Sequence, residues 1–166
     1  MSERVKGFAP FAQEDSEVLV LGSFPSVKSR AQSFYYGNPQ NAFWRILSAY
    51  FNESTPQTLE DKQSLLRRRR IALWDIVTEC EIVGSQDSTI TNFKVANLQE
   101  VFTNSPIKAI IVNGGKAYSI FAKHYKNLQI PVFALPSTSP ANTRRKDDEW
   151  FAALRAAYGA TKRECR

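Results

Sequence analysis

Cysteine and histidine are the scarcest chemistry-bearing residues here, at two and one among 166. Cys80 and Cys165 are too few for a disulfide framework or a four-thiolate iron–sulfur centre, and with His124 alone they give no zinc-ligand spacing. The lone histidine also gives a Ser–His–Asp arrangement no support, because nothing in the pattern brings it to a loop serine. Following Lys123 in a helical stretch, His124 reads as a surface residue. Long hydrophobic runs are missing as well, and none approaches the ~20 residues of a membrane span. The first residues, Met-Ser-Glu-Arg-Val-Lys, have no apolar stretch behind them of the kind a secretory signal carries. A cytoplasmic chain in a reducing compartment is the expectation. Nucleotide-binding fingerprints fail on spacing: no G-x-G-x-x-G follows the first apolar run. Gly115-Lys116 is followed by Ala117, with Ile110 at the earlier glycine position of a phosphate loop.

What is present is ordinary for a globular chain, with 43% hydrophobic and 23% charged residues. The length suits one domain spanning 1–166. The net charge of +6 and a pI of about 9.4 suit a polyanionic partner, although a merely solvated basic surface gives the same figures. Four continuous apolar runs, at 18–22, 71–75, 109–113 and 131–135, predict strands buried on both faces. Helical spacing lies between them. Phe43, Leu47 and Tyr50 share one face, 59–70 ends in four arginines, and 115–125 steps through Ala117, Ile120, Phe121 and Tyr125. The last helix opens with Asp147, Asp148 and Glu149, presents Trp150, Leu154, Ala157 and Tyr158, and is expected to end at a left-handed Gly159. Alternating strands and helices predict an α/β fold with a parallel sheet. Segments 1–10 and 161–166 read as loosely held.

A sheet of this kind gathers its site at the C-terminal strand ends. Three loops leave those ends. The first is Gly22-Ser-Phe-Pro-Ser26, running on to Phe34-Tyr-Tyr-Gly-Asn-Pro-Gln-Asn-Ala-Phe-Trp44. The others are Asn113-Gly-Gly115 and Leu135-Pro-Ser-Thr-Ser-Pro-Ala-Asn142. They offer carboxamides, hydroxyls, aromatics and main-chain amides, and hardly any titrating group, which argues against two-metal nuclease chemistry. Asp75, just past the second run, reads as a turn or cap residue ahead of a base or metal ligand.

At these residues the chain resembles the uracil-DNA glycosylase superfamily, and within it the hypoxanthine-DNA (deoxyinosine) glycosylase branch, related to the mismatch-specific uracil glycosylases. The resemblance implies a three-layer α/β/α sandwich around a four-stranded parallel sheet. It implies excision of deaminated bases from DNA, hypoxanthine preferred and uracil or xanthine accepted, with no metal or other cofactor. A monomer working away from membranes is expected. The catalytic asparagine of the aromatic-rich stretch falls on Asn41, with Asn113 and Ser23 as further catalytic candidates. Phe24, Tyr36, Asn38 and Asn113 fall where the base is bound, and Tyr36 matches an aromatic that stacks on it. The DNA-facing set is Ser26, Lys28, Ser137, Thr138, Ser139, Pro140, Ala141, Asn142, Arg144 and Arg145. Phe24 stands where mismatch-specific relatives have an asparagine, and Asn38 where the related motif often has histidine. Leu135 and Pro140-Ala141 replace the histidine or asparagine and the leucine wedge of uracil-specific relatives.

The residues alone leave other roles open. Asn41 is a good helix N-cap before Ala42, Tyr36 suits core packing as well as stacking, and Asn113 suits a turn. The chemistry itself is within reach of this inventory. Hypoxanthine and uracil depart with delocalised charge, so main-chain donors near 22–26 and a positioned water carry much of the task. Lys28, Arg30, Arg144, Arg145 and Lys146 flank the expected mouth, while Arg67–Arg70 read mainly as a solvated helix end. A catalytically weak lesion-binding module, a mismatch-specific uracil-DNA glycosylase and a nucleotide-binding α/β domain are the competing readings.

Overall fold

Strands that are apolar on both faces need cover on both, and this requirement organises the molecule. The computed structural model describes residues 3–144 and 146–162, and the side chains to 159. In chain order its elements are β1 (Glu3–Lys6), β2 (Val18–Gly22), α1 (Val27–Gln32), α2 (Phe43–Tyr50), α3 (Leu59–Arg68), β3 (Ile71–Asp75), β4 (Val77–Ile82), β5 (Thr91–Val95), α4 (Gln99–Phe102), β6 (Ala109–Asn113), α5 (Gly115–His124), β7 (Val132–Leu135) and α6 (Asp147–Lys162). The four expected runs form one parallel sheet in the order β3-β2-β6-β7. Every residue of β2, β3 and β6 is buried, so helices cover both sides as the three-layer reading requires. The first strand of this sheet has the second on one side and the third on the other. The switch point therefore lies between the C-terminal ends of β2 and β6, at Gly22 and Asn113.

A second sheet was not expected. β1, β4 and β5 pair antiparallel, with Val5 opposite Cys80 and Arg4 bonded to Glu79. Segment 1–10 is therefore not loose: Glu3–Lys6 is a paired strand, while residues 1–2 lie outside the described residues. These three strands alternate or mix exposed charge with burial, which is why a search for continuous apolar runs passes over them. Gly159 is no cap either; α6 continues through it to Lys162, and 163–166 lie outside the described residues. Helix α1 occupies what read as loop, started by Ser26, whose hydroxyl accepts the Ser29 N–H.

The helices hold the site from below. Phe43 of α2 and Trp150 of α6 are fully buried and meet edge to face at 6.1 Å. Truncating either aromatic would cost about 3–5 kcal/mol and release the segment ahead of α2. The Trp150 indole donates to the Pro136 carbonyl, which ties α6 to the last loop as well. The arginine run ends up at the opposite pole, just before β3. There Arg68 and Arg69 pair with Glu53, Arg70 pairs with Glu17, and Arg67 lies over Phe11. His124 is exposed on α5, as expected.

Candidate active site

A cavity of about 880 Å³ opens at the switch point, walled by the three loops. Hydrogen bonds join those loops into one frame. Ser29 of α1 accepts the Gly37 N–H, linking the first loop to the aromatic-rich stretch. The Ala42 N–H donates to the Thr138 carbonyl, linking that stretch to the last loop. Asn113 then binds Thr138 twice: its Nδ2 donates to Thr138 Oγ1, and its Oδ1 accepts the Thr138 N–H, both at 3.0 Å. Gly114 has φ +102, and a Cβ there would meet Ser137 Cβ at 3.2 Å, so glycine is what lets the last loop lie this close.

Of the expected site residues, Ser23, Phe24, Ser26, Lys28, Tyr36, Asn38, Asn41, Asn113, Ser137, Thr138, Ser139, Pro140, Ala141 and Asn142 line this cavity together. Asn41 is half-buried, and its Oδ1 accepts the Phe43 N–H at 2.9 Å. From one residue before the N-cap Ala42 it satisfies the first N–H of α2 and faces the cavity at once, since an amide oxygen so engaged leaves the NH₂ group for a second partner. Tyr35 and Tyr36 divide the two roles open to them. Both line the cavity, but Tyr35 is buried and donates to the Ala9 carbonyl, whereas Tyr36 is half-buried with its ring 4.3 Å from that of Phe43. Tyr36 takes a left-handed φ of +54, and the Trp44 indole fixes its carbonyl. Asn38 uses its Oδ1 on the Gln40 N–H, a local turn.

Three expected DNA contacts are placed differently, and a fourth, Arg144, stays on the surface. Thr138 is buried, and its hydroxyl oxygen accepts the Asn113 amide, so it holds Asn113 in place instead of standing exposed at the mouth. Lys146 is buried too, donating to the Asn142 carbonyl, because a long side chain can cross a loop to reach an otherwise unpaired carbonyl. Arg30 turns inward over Phe24 and donates to the Gly84 carbonyl. Arg144 is exposed and pairs with Glu149 outside the cavity. Arg145 lies outside the described residues. Ser137 and Ser139 each accept a backbone N–H, which leaves their hydroxyl hydrogens to donate.

Two carboxyl groups also enter the cavity, contrary to the expectation of a site almost without titrating groups. Asp75, at the end of β3, is buried, and its Oδ2 has no hydrogen-bond partner. It caps no turn. Burial, with the charge of Asp87 as a smaller cause, pushes its pKa up to about 8. Asp87 comes from the turn joining β4 to β5, and both of its oxygens accept the Ser23 hydroxyl at 2.9 Å. The Tyr36 hydroxyl is buried without a partner in hydrogen-bonding geometry, with the Asn113 amide beside it. A Cβ on Gly22 would stand 2.5 Å from Asp75 Oδ1 and 3.0 Å from this hydroxyl, so glycine makes the floor. Among the described residues no group of three His, Cys, Asp or Glu converges as a metal site.

The family model of the uracil DNA glycosylase superfamily matches residues 9–158. The chain belongs to that superfamily. A hypoxanthine DNA glycosylase of Methanosarcina acetivorans is 32% identical over 154 residues, covering 90% of this chain and 98% of the relative. A second, from Methanosarcina barkeri, is 28% identical over 140 residues, covering 84% and 89%. A solution NMR structure from M. acetivorans, described as a candidate uracil DNA glycosylase, superposes with a TM-score of 0.82 at 32% identity over 94% of this chain and 99% of that one. Within this superfamily frame, the signal that finds Asp75 is positional: an acid at the C-terminal end of a strand adjoining the switch point. Asp87 carries no such signal.

Proposed function

We propose that this superfamily member is a monofunctional DNA glycosylase. It hydrolyses the N-glycosidic bond of deaminated bases, hypoxanthine first and uracil or xanthine next, and leaves an abasic site. The reading takes 1–166 as one domain, acting as a cytoplasmic monomer without a cofactor. The observation that carries it is the shared cavity, in which Tyr36, Asn41 and Asn113 face the same space from two loops. Cavities of some 300–1,000 Å³ are of small-ligand size, and about 880 Å³ suits one everted nucleotide. Both curated relatives above are named for hypoxanthine, which supports the preference.

The residues divide the task. Everting a nucleotide costs a few kcal/mol, and stacking on one aromatic returns about 1–3 kcal/mol. Tyr36 supplies that ring, backed by Phe43. Asn113 spends one donor and one acceptor on Thr138 and keeps one of each, which matches the N–H and C=O of a lactam edge. Asn41 directs its NH₂ group to the water or to the departing base. Main-chain amides along 23–26 stabilise the charge that builds on the base; losing one such donor typically costs about 3 kcal/mol.

The test is incubation with oligonucleotides carrying inosine, uracil or xanthine, single- and double-stranded, with chelator present, followed by alkali to cleave abasic sites. Inosine strands are expected to be cut fastest. Binding of all three without base release would replace the enzyme by a lesion-binding module. A borohydride-trapped adduct during turnover would replace the monofunctional mechanism by a lyase.

A further inference from the structure

The two carboxyl groups of the cavity have unlike surroundings, and this rests on the glycosylase reading above. Asp75 sits at the floor, at the end of the fully buried edge strand β3, with Oδ2 unpaired. Asp87 sits at the rim, where burial raises its pKa above the ordinary carboxylate value, opposed by the Ser23 hydroxyl donated to both oxygens and by the positive charge of Lys116, two partners that Asp75 lacks. A hydroxyl donated to both oxygens favours the carboxylate; burial without a donor favours the neutral acid. A nucleotide that enters base first brings its base to the floor and leaves its sugar near the rim.

We propose that Asp75, as a neutral acid, donates its proton to the departing base while Asp87, as a carboxylate, takes one from the attacking water. The glycosidic bond breaks and its electron pair leaves with the base, which receives the Asp75 proton on a ring nitrogen or carbonyl oxygen. The water oxygen bonds to C1′, and the water's proton passes to Asp87. Exchange with solvent then reprotonates Asp75 and deprotonates Asp87, so one water is consumed for each base freed. Two carboxyl groups held in opposite protonation states are how glycosidic bonds are commonly hydrolysed, and unlike environments are what separates them. The Phe24 position supplies no carboxamide or carboxylate for the water, and the turn between β4 and β5 brings Asp87 onto its neighbour Ser23 in the same cavity.

The groups facing Asp75 are Tyr35 and Tyr36 from the aromatic-rich loop and Asp87 from the turn; Lys116 of α5 faces Asp87, and Lys28 of α1 lines the mouth. Burial pushes both tyrosines above their ordinary range, which leaves Asp75, raised to about 8, as the group to set an alkaline limb.

The test is single-turnover excision from an inosine duplex between pH 5.5 and 9.5 for the wild type, Asp75→Asn and Asp87→Asn, with binding of the same duplex measured for each. Wild-type excision is expected to fall about tenfold per pH unit above an apparent pKa near 8. Asp75→Asn is expected to bind the duplex normally, to lose about 10²-fold in rate and to lose the alkaline limb. Asp87→Asn is expected to slow the reaction and move the limb to lower pH, because the charge that raises Asp75 is gone. A limb that persists in Asp75→Asn belongs to the base's own ring N–H and overturns the assignment of Asp75. An Asp87→Asn variant with the wild-type rate and limb overturns that of Asp87. If the wild type frees no base from any substrate, the glycosylase reading itself fails and this assignment falls with it. A variant that does not bind DNA is replaced by Asp75→Glu or Asp87→Glu, which restores the carboxyl and is expected to restore the corresponding pH limb.

Discussion

The amide of Asn113 and residue Thr138 hold each other by two hydrogen bonds of 3.0 Å, side chain to side chain and side chain to backbone. The pair joins the end of β6 to the last loop, so the orientation of the Asn113 amide in the cavity depends on a buried threonine. Thr138→Val keeps the shape and removes the hydroxyl. It leaves the Asn113 Nδ2 without its acceptor, at a cost of about 1–3 kcal/mol. Excision should fall at least ~10-fold, because misplacement by 1 Å at a reacting centre costs up to ~10²-fold. Melting and single-turnover rates measure both; a wild-type rate would free Asn113 from the mechanism.

Asn41 serves a helix and the cavity through one side chain, and the two roles separate by substitution. Asn41→Ala loses the cap and about 1 kcal/mol, a few degrees of melting. Asn41→Ser keeps a capping oxygen and should melt like the wild type. Both should lose ~10²-fold or more in base release. A serine variant that cleaves inosine DNA at the wild-type rate would reduce Asn41 to a cap.

How far these roles were legible in the sequence depended on surroundings. Val18–Gly22, Ile71–Asp75 and Ala109–Asn113 announced themselves because strands buried on both faces are apolar throughout. The three loops followed from the strand ends, and their residues do share one cavity. Glu3–Lys6 and Thr91–Val95 stayed hidden because half-exposed strands carry charges that look like loop. Asp87 was illegible for another reason: its partner Ser23 is 64 residues away, and only the second sheet brings the turn there. Arg30 and Lys146 misled in the opposite sense, since a formal charge says nothing of whether its stem runs inward.

Gly22 should tolerate no side chain. Its Cβ would press on Asp75 Oδ1 at 2.5 Å, and Asp75 is fixed within a buried strand end. Gly22→Ala is expected to cost about 1–3 kcal/mol through overpacking. It should also abolish excision by displacing the floor carboxyl and Tyr36. Unchanged melting and turnover would mean that the floor is softer than its packing indicates.

DNA affinity should depend on salt only modestly. With Arg30 and Lys146 turned inward, Lys28 and Arg144 are the expected basic contacts left on the described surface. Two phosphate contacts imply about 12-fold weaker binding between 50 and 200 mM salt, and removing either should lower the slope by about one. Fluorescence anisotropy across that range measures it. An unchanged slope in Lys28→Ala and Arg144→Ala would place the phosphates elsewhere.

The floor carboxyl should also write itself into stability. Asp75 binds its proton up to about pH 8 in the folded chain, against an ordinary value of 3.8. Below pH 4 both folded and unfolded chains hold that proton, so the group gives no pH dependence there. Between pH 4 and 8 the unfolded chain ionises while the folded one resists, so folding loses stability as pH rises; above 8 the loss levels off. Asp75→Asn has no proton to lose and escapes this. Its melting temperature, compared with the wild type, should therefore improve between pH 4.5 and pH 8.5, by at least ~3 °C for a chain of this size. The gain should appear mostly below pH 8. A difference between the two proteins that stays constant across this range would mean that Asp75 is already ionised in the folded state, and that its burial is compensated by a partner the cavity does not display.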